Sequence, residues 1–97
     1  MFLEIVTPEA TIFNAEVDSV TVPGINGEFQ MLENHAPVIS LLTEGTVKIH
    51  THTKSHLELD ELHGTIVPHN DDDKVLTLKI GSGTVEMKDN KVIVLAD

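Results

Sequence analysis

Between His50 and Lys74 the sequence reads HTHTKSHLELDELHGTIVPHNDDDK and holds five of the six histidines together with three consecutive aspartates. His50 and His52 are two apart, which puts them on one face of a strand together with Lys48. That spacing suits chelation of a divalent ion, with His56, His63 or His69 available to complete a site. One reading of the chain is therefore a β-sandwich metal-binding module that uses the His-rich stretch. The competing reading is a solvated hairpin extension, and the histidines lack the CxxC-type spacing that marks a zinc site. Asp71, Asp72 and Asp73 lack the spacing of an EF-hand loop and read as a charged loop tip that keeps a sheet edge soluble. No metal ligand is assigned.

Catalysis finds little to build on. A nucleophile, a base and an orienting group must be brought together, and no G-x-S-x-G, P-loop or HExxH motif is present. The absence of cysteine removes thiolate chemistry and disulfides together. His35 is the one histidine in a defined context, Glu33-Asn34-His35-Ala36-Pro37, before the apolar run Val38-Ile39-Ser40-Leu41-Leu42. A small hydrolase using His35 as general base needs a nucleophile in a buried pocket beside it. The preferred reading is a histidine that shapes a turn through the backbone or meets a partner. Gly81-Ser82-Gly83 lies between two strands rather than before a helix, so it is no phosphate cradle. The chain reads as a non-enzyme with no cofactor.

The elements that position these residues follow from composition and alternation. Eleven Val, eight Ile and ten Thr against four Ala favour strands. Leu3 and Ile5 alternate with Glu4, and Val47 and Ile49 with Lys48. Leu76, Leu78 and Ile80 alternate with Thr77 and Lys79, and Val85 and Met87 with Glu86. Val92 and Val94 form a last strand with Ile93 and Leu95 on its other face. Turn signals separate the runs at Thr7-Pro8-Glu9, Pro23-Gly24, Asn26-Gly27, Glu44-Gly45, Gly81-Ser82-Gly83 and Lys88-Asp89-Asn90-Lys91. The fold class is all-β, an antiparallel sandwich or flattened barrel of about ten strands. It is read as a single domain over residues 1–97 with an extended hairpin or loop at about 50–74. Ala15 and Val17 have the opposite parity to Val20 and Val22, which predicts a β-bulge near Asp18-Ser19 or, alternatively, two separate strands that meet there.

Sixteen acidic residues against six lysines and no arginine give a formal net charge of −10. Phosphate binding depends on clustered Lys and Arg, so nucleic acid is not expected as a partner, and neither is an anionic lipid surface. Met1-Phe2-Leu3-Glu4 has no basic n-region, and no apolar stretch approaches the ~18 residues of a membrane span. Direct membrane insertion is not expected.

Three stretches taken together resemble the N-terminal β-sandwich domain of the epsilon subunit of bacterial F-type ATP synthase, whose mitochondrial counterpart is called delta. The first is Leu3-Glu4-Ile5-Val6-Thr7-Pro8-Glu9 with Ile12-Phe13 and Val17-Asp18-Ser19-Val20-Thr21-Val22-Pro23-Gly24. The second is Gly27-Glu28-Phe29, then His35-Ala36-Pro37 and Glu44-Gly45-Thr46-Val47. The third is Ile80 to Val85, then Val92-Ile93-Val94-Leu95-Ala96-Asp97. The resemblance covers the chain apart from the His50–Lys74 region.

That resemblance implies a ten-stranded sandwich at the foot of the central stalk, clamped to the gamma subunit and resting on the c-ring. It also implies a place at the cytoplasmic face of the bacterial inner membrane as a peripheral part of a rotary motor. Glu28, with Asn26 and Gly27 beside it, matches the family's contact with the polar loop of subunit c, which generally carries an arginine. Thr7, His35 and Ser40 match positions that face gamma. Many bacterial members continue into a two-helix arm that inhibits ATP hydrolysis. This sequence stops at Asp97, and the expectation is a subunit without that arm.

Overall fold

The computed structural model describes residues 1–51 and 75–97, and residues 66–68 by their backbone pairing. Ten strands occur among the described residues: β1 (Phe2–Val6), β2 (Thr11–Glu16), β3 (Ser19–Gly24), β4 (Gly27–Leu32), β5 (Val38–Leu42), β6 (Gly45–His50), β7 (Ile66–Pro68), β8 (Val75–Ile80), β9 (Gly83–Lys88) and β10 (Lys91–Ala96). They form one curled sheet in the order β2-β1-β10-β9-β5-β3-β6-β8-β7, with β4 paired to β3. The curl brings the β2-β1-β10-β9-β5 half over the β4-β3-β6-β8 half. Leu3, Ile5, Val20, Val22, Met31, Val47, Ile49, Leu76, Val92 and Val94 are fully buried between them.

The all-β expectation holds, and the alternating residues named above are the ones that fill the core. Every ladder but one is antiparallel. β1 and β10 run parallel, from Phe2↔Lys91 to Val6↔Leu95, and so join the two ends of the described chain. The parity change between Ala15 and Val20 is met by the second of its two readings. β2 ends at Glu16 and a separate β3 starts at Ser19. Between them the amide of Val17 donates to Met1 O at 2.8 Å and that of Asp18 to His50 O at 2.8 Å, so the chain crosses here from one half to the other. A bulge does occur, one stretch earlier. The β1–β2 register jumps from Ile5↔Phe13 to Val6↔Thr11, which lets the neighbours Ile12 and Phe13 both face the core.

The halves meet at a corner where β3 changes partner. Ser19 to Thr21 pair with β6, whereas Gly24 pairs with Leu42 of β5. A Cβ on Gly24 would lie 2.8 Å from both Gly27 O and the Phe29 ring, and one on Gly45 would lie 2.6 Å from Pro23 Cβ. Only residues without a side chain allow so close a corner. The predicted hairpin or loop at about 50–74 lies outside the described residues apart from His50, Thr51 and β7, which pairs with β8 through Ile66↔Leu78.

At one end of the sandwich the α-amino group of Met1 is held by Glu16 Oε2 at 3.1 Å and by Glu33. Asn90 supports the same carboxylate, donating from Nδ2 to Glu33 at 3.0 Å and accepting from the Asn34 amide at 2.7 Å. Asp89 and Asn90 both have left-handed φ (53° and 62°), as a two-residue hairpin turn of the primed kind requires, and Asp and Asn tolerate it best after glycine. The hydrogen bond to Glu33 raises the amine's pKa above its ordinary value, with Glu16 adding to it against the opposing effect of burial. The same contact, followed by Asn90, lowers that of Glu33.

The signs give a two-sided pH dependence. The amine's contribution is fully present below its unfolded value of about 8 and is lost as pH rises through the raised folded value. That of Glu33 is present above its unfolded value of about 4.3 and is lost as pH falls through the lowered folded value. Urea midpoints measured against pH should therefore fall at both edges. Glu33→Gln should flatten the acid edge and weaken the alkaline one; equal edges in variant and wild type would remove the cluster's role.

Candidate docking surface

The two halves of the sandwich differ on their outer faces. Strand register puts Gln30, Thr21, Lys48 and Thr77 in one row across β4, β3, β6 and β8, with Ser19 and His50 paired in the next. Those rows are polar except where Leu32 of β4, 55% exposed, and the buried Val75 of β8 flank Ser19 and His50. On the other half, the outer row across β5, β9, β10 and β1 is Ile39, Glu86, Ile93, Glu4, and the next row is Leu41, Thr84, Leu95, Val6. Ile39 is 77% exposed, Leu41 58% and Leu95 50%. Isolated exposed apolar residues are ordinary, but aligned rows of them on one strand face mark a surface that expects a cover.

The origin of this face is local. Val38-Ile39-Ser40-Leu41-Leu42 is apolar on both parities, and a strand shows each parity to a different side. Val38, Ser40 and Leu42 pair with the core-side residues Met87, Val85 and Gly83, which leaves Ile39 and Leu41 outside. The sequence reading did not single out Ile39, Leu41, Leu95 or Glu86 as contact residues. The signal available for them was this double apolar parity, together with Ile93 and Leu95 opposite Val92 and Val94.

The residues expected to contact partners lie at the two ends of β5, about 14 Å apart at 3.4 Å per residue, except Ser40, which is at its middle. Asn26 lies with Ile25 in the β3–β4 turn, and Gly27, with a positive φ of 124°, and Glu28 open β4 directly after it. Ile25, 60% exposed in the same turn, donates its amide to Leu41 O at 3.1 Å, so the turn abuts the apolar rows. Thr7 lies at this end too, after Val6. Its hydroxyl is 3.2 Å from Ala10 O and accepts from the Ala10 amide at 3.3 Å, closing the β1–β2 turn. His35 sits at the other end, in the β4–β5 loop, exposed, with Nδ1 2.7 Å from Ala36 O and its amide donating to Leu32 O at 3.0 Å. It shapes the turn through the backbone as expected, on open surface rather than in a buried pocket. Ser40 is half-buried on the core side of β5 and donates to Leu41 O at 3.1 Å.

Glu28 is already engaged, its Oε2 lying 3.6 Å from Lys48 Nζ. Both groups are part-exposed, so the pair contributes about 0–1 kcal/mol at most. His50 Nδ1, beside this pair, is buried and has no hydrogen-bond partner among the described residues. Among the described residues no group of three or more His, Cys, Asp or Glu gathers into a metal site. His52, His56, His63 and His69 lie outside the described residues.

Residues 1–66 match the family model described as the β-sandwich domain of the ATP synthase delta/epsilon chain. The chain belongs to this family. Among relatives of the delta/epsilon type, it is 39% identical to the ATP synthase epsilon chain of Campylobacter concisus over 97 residues, covering all of this chain and 60% of that one. It is 34% identical to the epsilon chain of Chlorobaculum tepidum, covering 98% of this chain and 86% of that one. Among solved structures, a chain of the Euglena gracilis mitochondrial ATP synthase, in a structure of OSCP, F1 and c-ring, superposes with a TM-score of 0.72 at 17% identity. That match covers 97% of this chain and 48% of the other. A chain of the Tetrahymena thermophila enzyme's central stalk and c-ring gives 0.67 at 13% identity, covering 99% and 62%. These likenesses concern the fold alone. Nothing in the relatives or in the described residues supports the divalent-metal reading.

Proposed function

We propose that this delta/epsilon-type chain is a non-catalytic rotor component of an F-type ATP synthase, joining the gamma subunit to the c-ring and so coupling proton transport to ATP synthesis. The observation that carries the reading is the two-faced sandwich. Exposed apolar residues on β5 and β10, flanking Glu86 and Thr84 of β9, fit a permanent partner, and Asn26-Gly27-Glu28 at the β3–β4 connection lies beside them. Gamma covers the apolar face, with Thr7 and His35 bordering its two ends, and the c-ring receives the turn. No described helix is long and apolar enough to cross a membrane. The chain sits peripherally, at the cytoplasmic face of the bacterial inner membrane, through its partners.

The test is a calorimetric titration of the chain against purified gamma subunit and, separately, against detergent-solubilised c-ring. Wild type binds both. Glu28→Ala weakens the c-ring contact by about 5- to 100-fold, the range expected for a charge-assisted hydrogen bond of about 1–3 kcal/mol, and leaves gamma binding unchanged. Absence of binding of the wild type to both partners would withdraw the proposal.

A further inference from the structure

We propose that Glu86 makes the apolar face selective by demanding a cationic side chain from gamma at the centre of the contact. The inference rests on gamma being the cover of this face. Register places Glu86 between Ile39 on β5 and Ile93 on β10, one row from Leu41 and Leu95. It is exposed and forms no ion pair among the described residues. The nearby cations do not serve it. Lys91 Nζ lies over the Phe2 ring, 5.6 Å from its centroid, and Lys88 makes no salt bridge to Glu86.

While the face is bare, water solvates this carboxylate. A cover that buries Ile39, Leu41 and Leu95 strips that water away, and an unpaired charge left in an apolar contact opposes docking strongly. A partner that fits must bring its own cation. Glu86 also borders two shallow grooves, one along Pro37 and Ile39 and the other along Lys91 and Ile93. Apolar side chains of gamma fill these grooves on either side of a basic residue that reaches Glu86. Arginine suits the place best, because its planar fork pairs with a carboxylate through two hydrogen bonds and is less strongly hydrated than an ammonium. Glu4 stands in the same row beyond Ile93 and the net charge of the chain is −10, whereas the row on the far side from Leu41 and Leu95 holds Lys88 paired with Lys91, so the demand for a cation is confined to the Glu86 row. A neutral apolar surface of the right shape is thus rejected, which is how a single charge confers specificity on a greasy face.

The test compares wild type, Glu86→Gln and Glu86→Lys in titrations against gamma at low and high salt, with thermal melts and sedimentation of each chain alone. Glu86→Gln is expected to weaken gamma binding roughly 30-fold or more with an unchanged melting temperature, an unchanged c-ring affinity and a smaller salt dependence. Glu86→Lys should weaken it further and be rescued by reversing one basic residue of gamma to glutamate. Wild-type affinity in Glu86→Gln overturns the inference while leaving the rotor reading standing. Failure of the wild type to bind gamma overturns both. A self-dimer of the wild type that Glu86→Lys dissociates assigns the face to a second copy of this chain, and the inference fails.

Discussion

Gly83→Val is expected to lower the thermal unfolding midpoint by about 10–20 °C, from a loss of about 2–3 kcal/mol in a chain of this size. Gly83 opens β9 and is paired on both sides, with Ala96 of β10 and Leu42 of β5. A Cβ there would lie 2.3 Å from Leu95 O and 3.3 Å from Ala96 Cα, both main-chain atoms of β10. A side chain can rotate away from such a contact, but a strand held in two ladders cannot. Gly81, two residues earlier, is the control. Its Cβ would meet Asp97 Oδ2 at 2.6 Å, the free end of a flexible side chain. Gly81→Ala displaces that exposed carboxylate, which accepts from the Gly81 amide at 3.0 Å, and should lower the midpoint by much less than Gly83→Val does. Calorimetric melts of the two variants decide the matter, and equal losses would show that the β9–β10 approach is not the constraint.

Leu41→Asp should weaken gamma binding about 100-fold or more, the loss of a hot-spot contact at the middle of an interface, while leaving the melting curve in place. Leu41 is more than half exposed, and its neighbours across the sheet are Thr84 and, beyond it, Leu95. Ser40→Arg, the substitution that the sequence alone would suggest for testing the gamma contact, is a poorer probe. Ser40 points to the core side of β5, so an arginine there disturbs folding and docking together. Titration against gamma with a parallel melt separates the cases. Wild-type affinity in Leu41→Asp would place the gamma contact elsewhere on the sandwich.

Much of the core was legible from alternation, because burial on one face imposes a period of two. Leu3 and Ile5, Val47 and Ile49, and Leu76, Leu78 and Ile80 all lie inside as their spacing predicts. Strand neighbourhood was not legible. Nothing local to Phe2–Val6 or Lys91–Ala96 tells that these strands lie side by side and parallel, since that pairing joins residues from the two ends of the described chain. The crossing at Val17-Asp18 and the bulge at Ile12-Phe13 both displace parity by one residue, and parity alone cannot say which device is used. For the docking surface, the family resemblance pointed to Asn26-Gly27-Glu28 at the start of β4, to Thr7 and His35 in loops, and to Ser40, which faces the core side of β5. The apolar rows between them were hidden because a run such as Val38–Leu42 looks the same whether its second face meets a core or a partner.

The parallel β1–β10 pairing has a consequence for synthesis. Through the ladders, β1 and β2 reach the rest of the sheet only by way of β10. A nascent chain therefore leaves the ribosome with its first two strands unpaired to the body, and they wait until residues 91–96 have emerged. The middle hairpins can form meanwhile, but closing contacts between such distant residues is entropically slow. For that interval Leu3, Ile5, Ile12 and Phe13 are open to solvent and to chaperones, so the window for misassembly stays open until β10 has emerged.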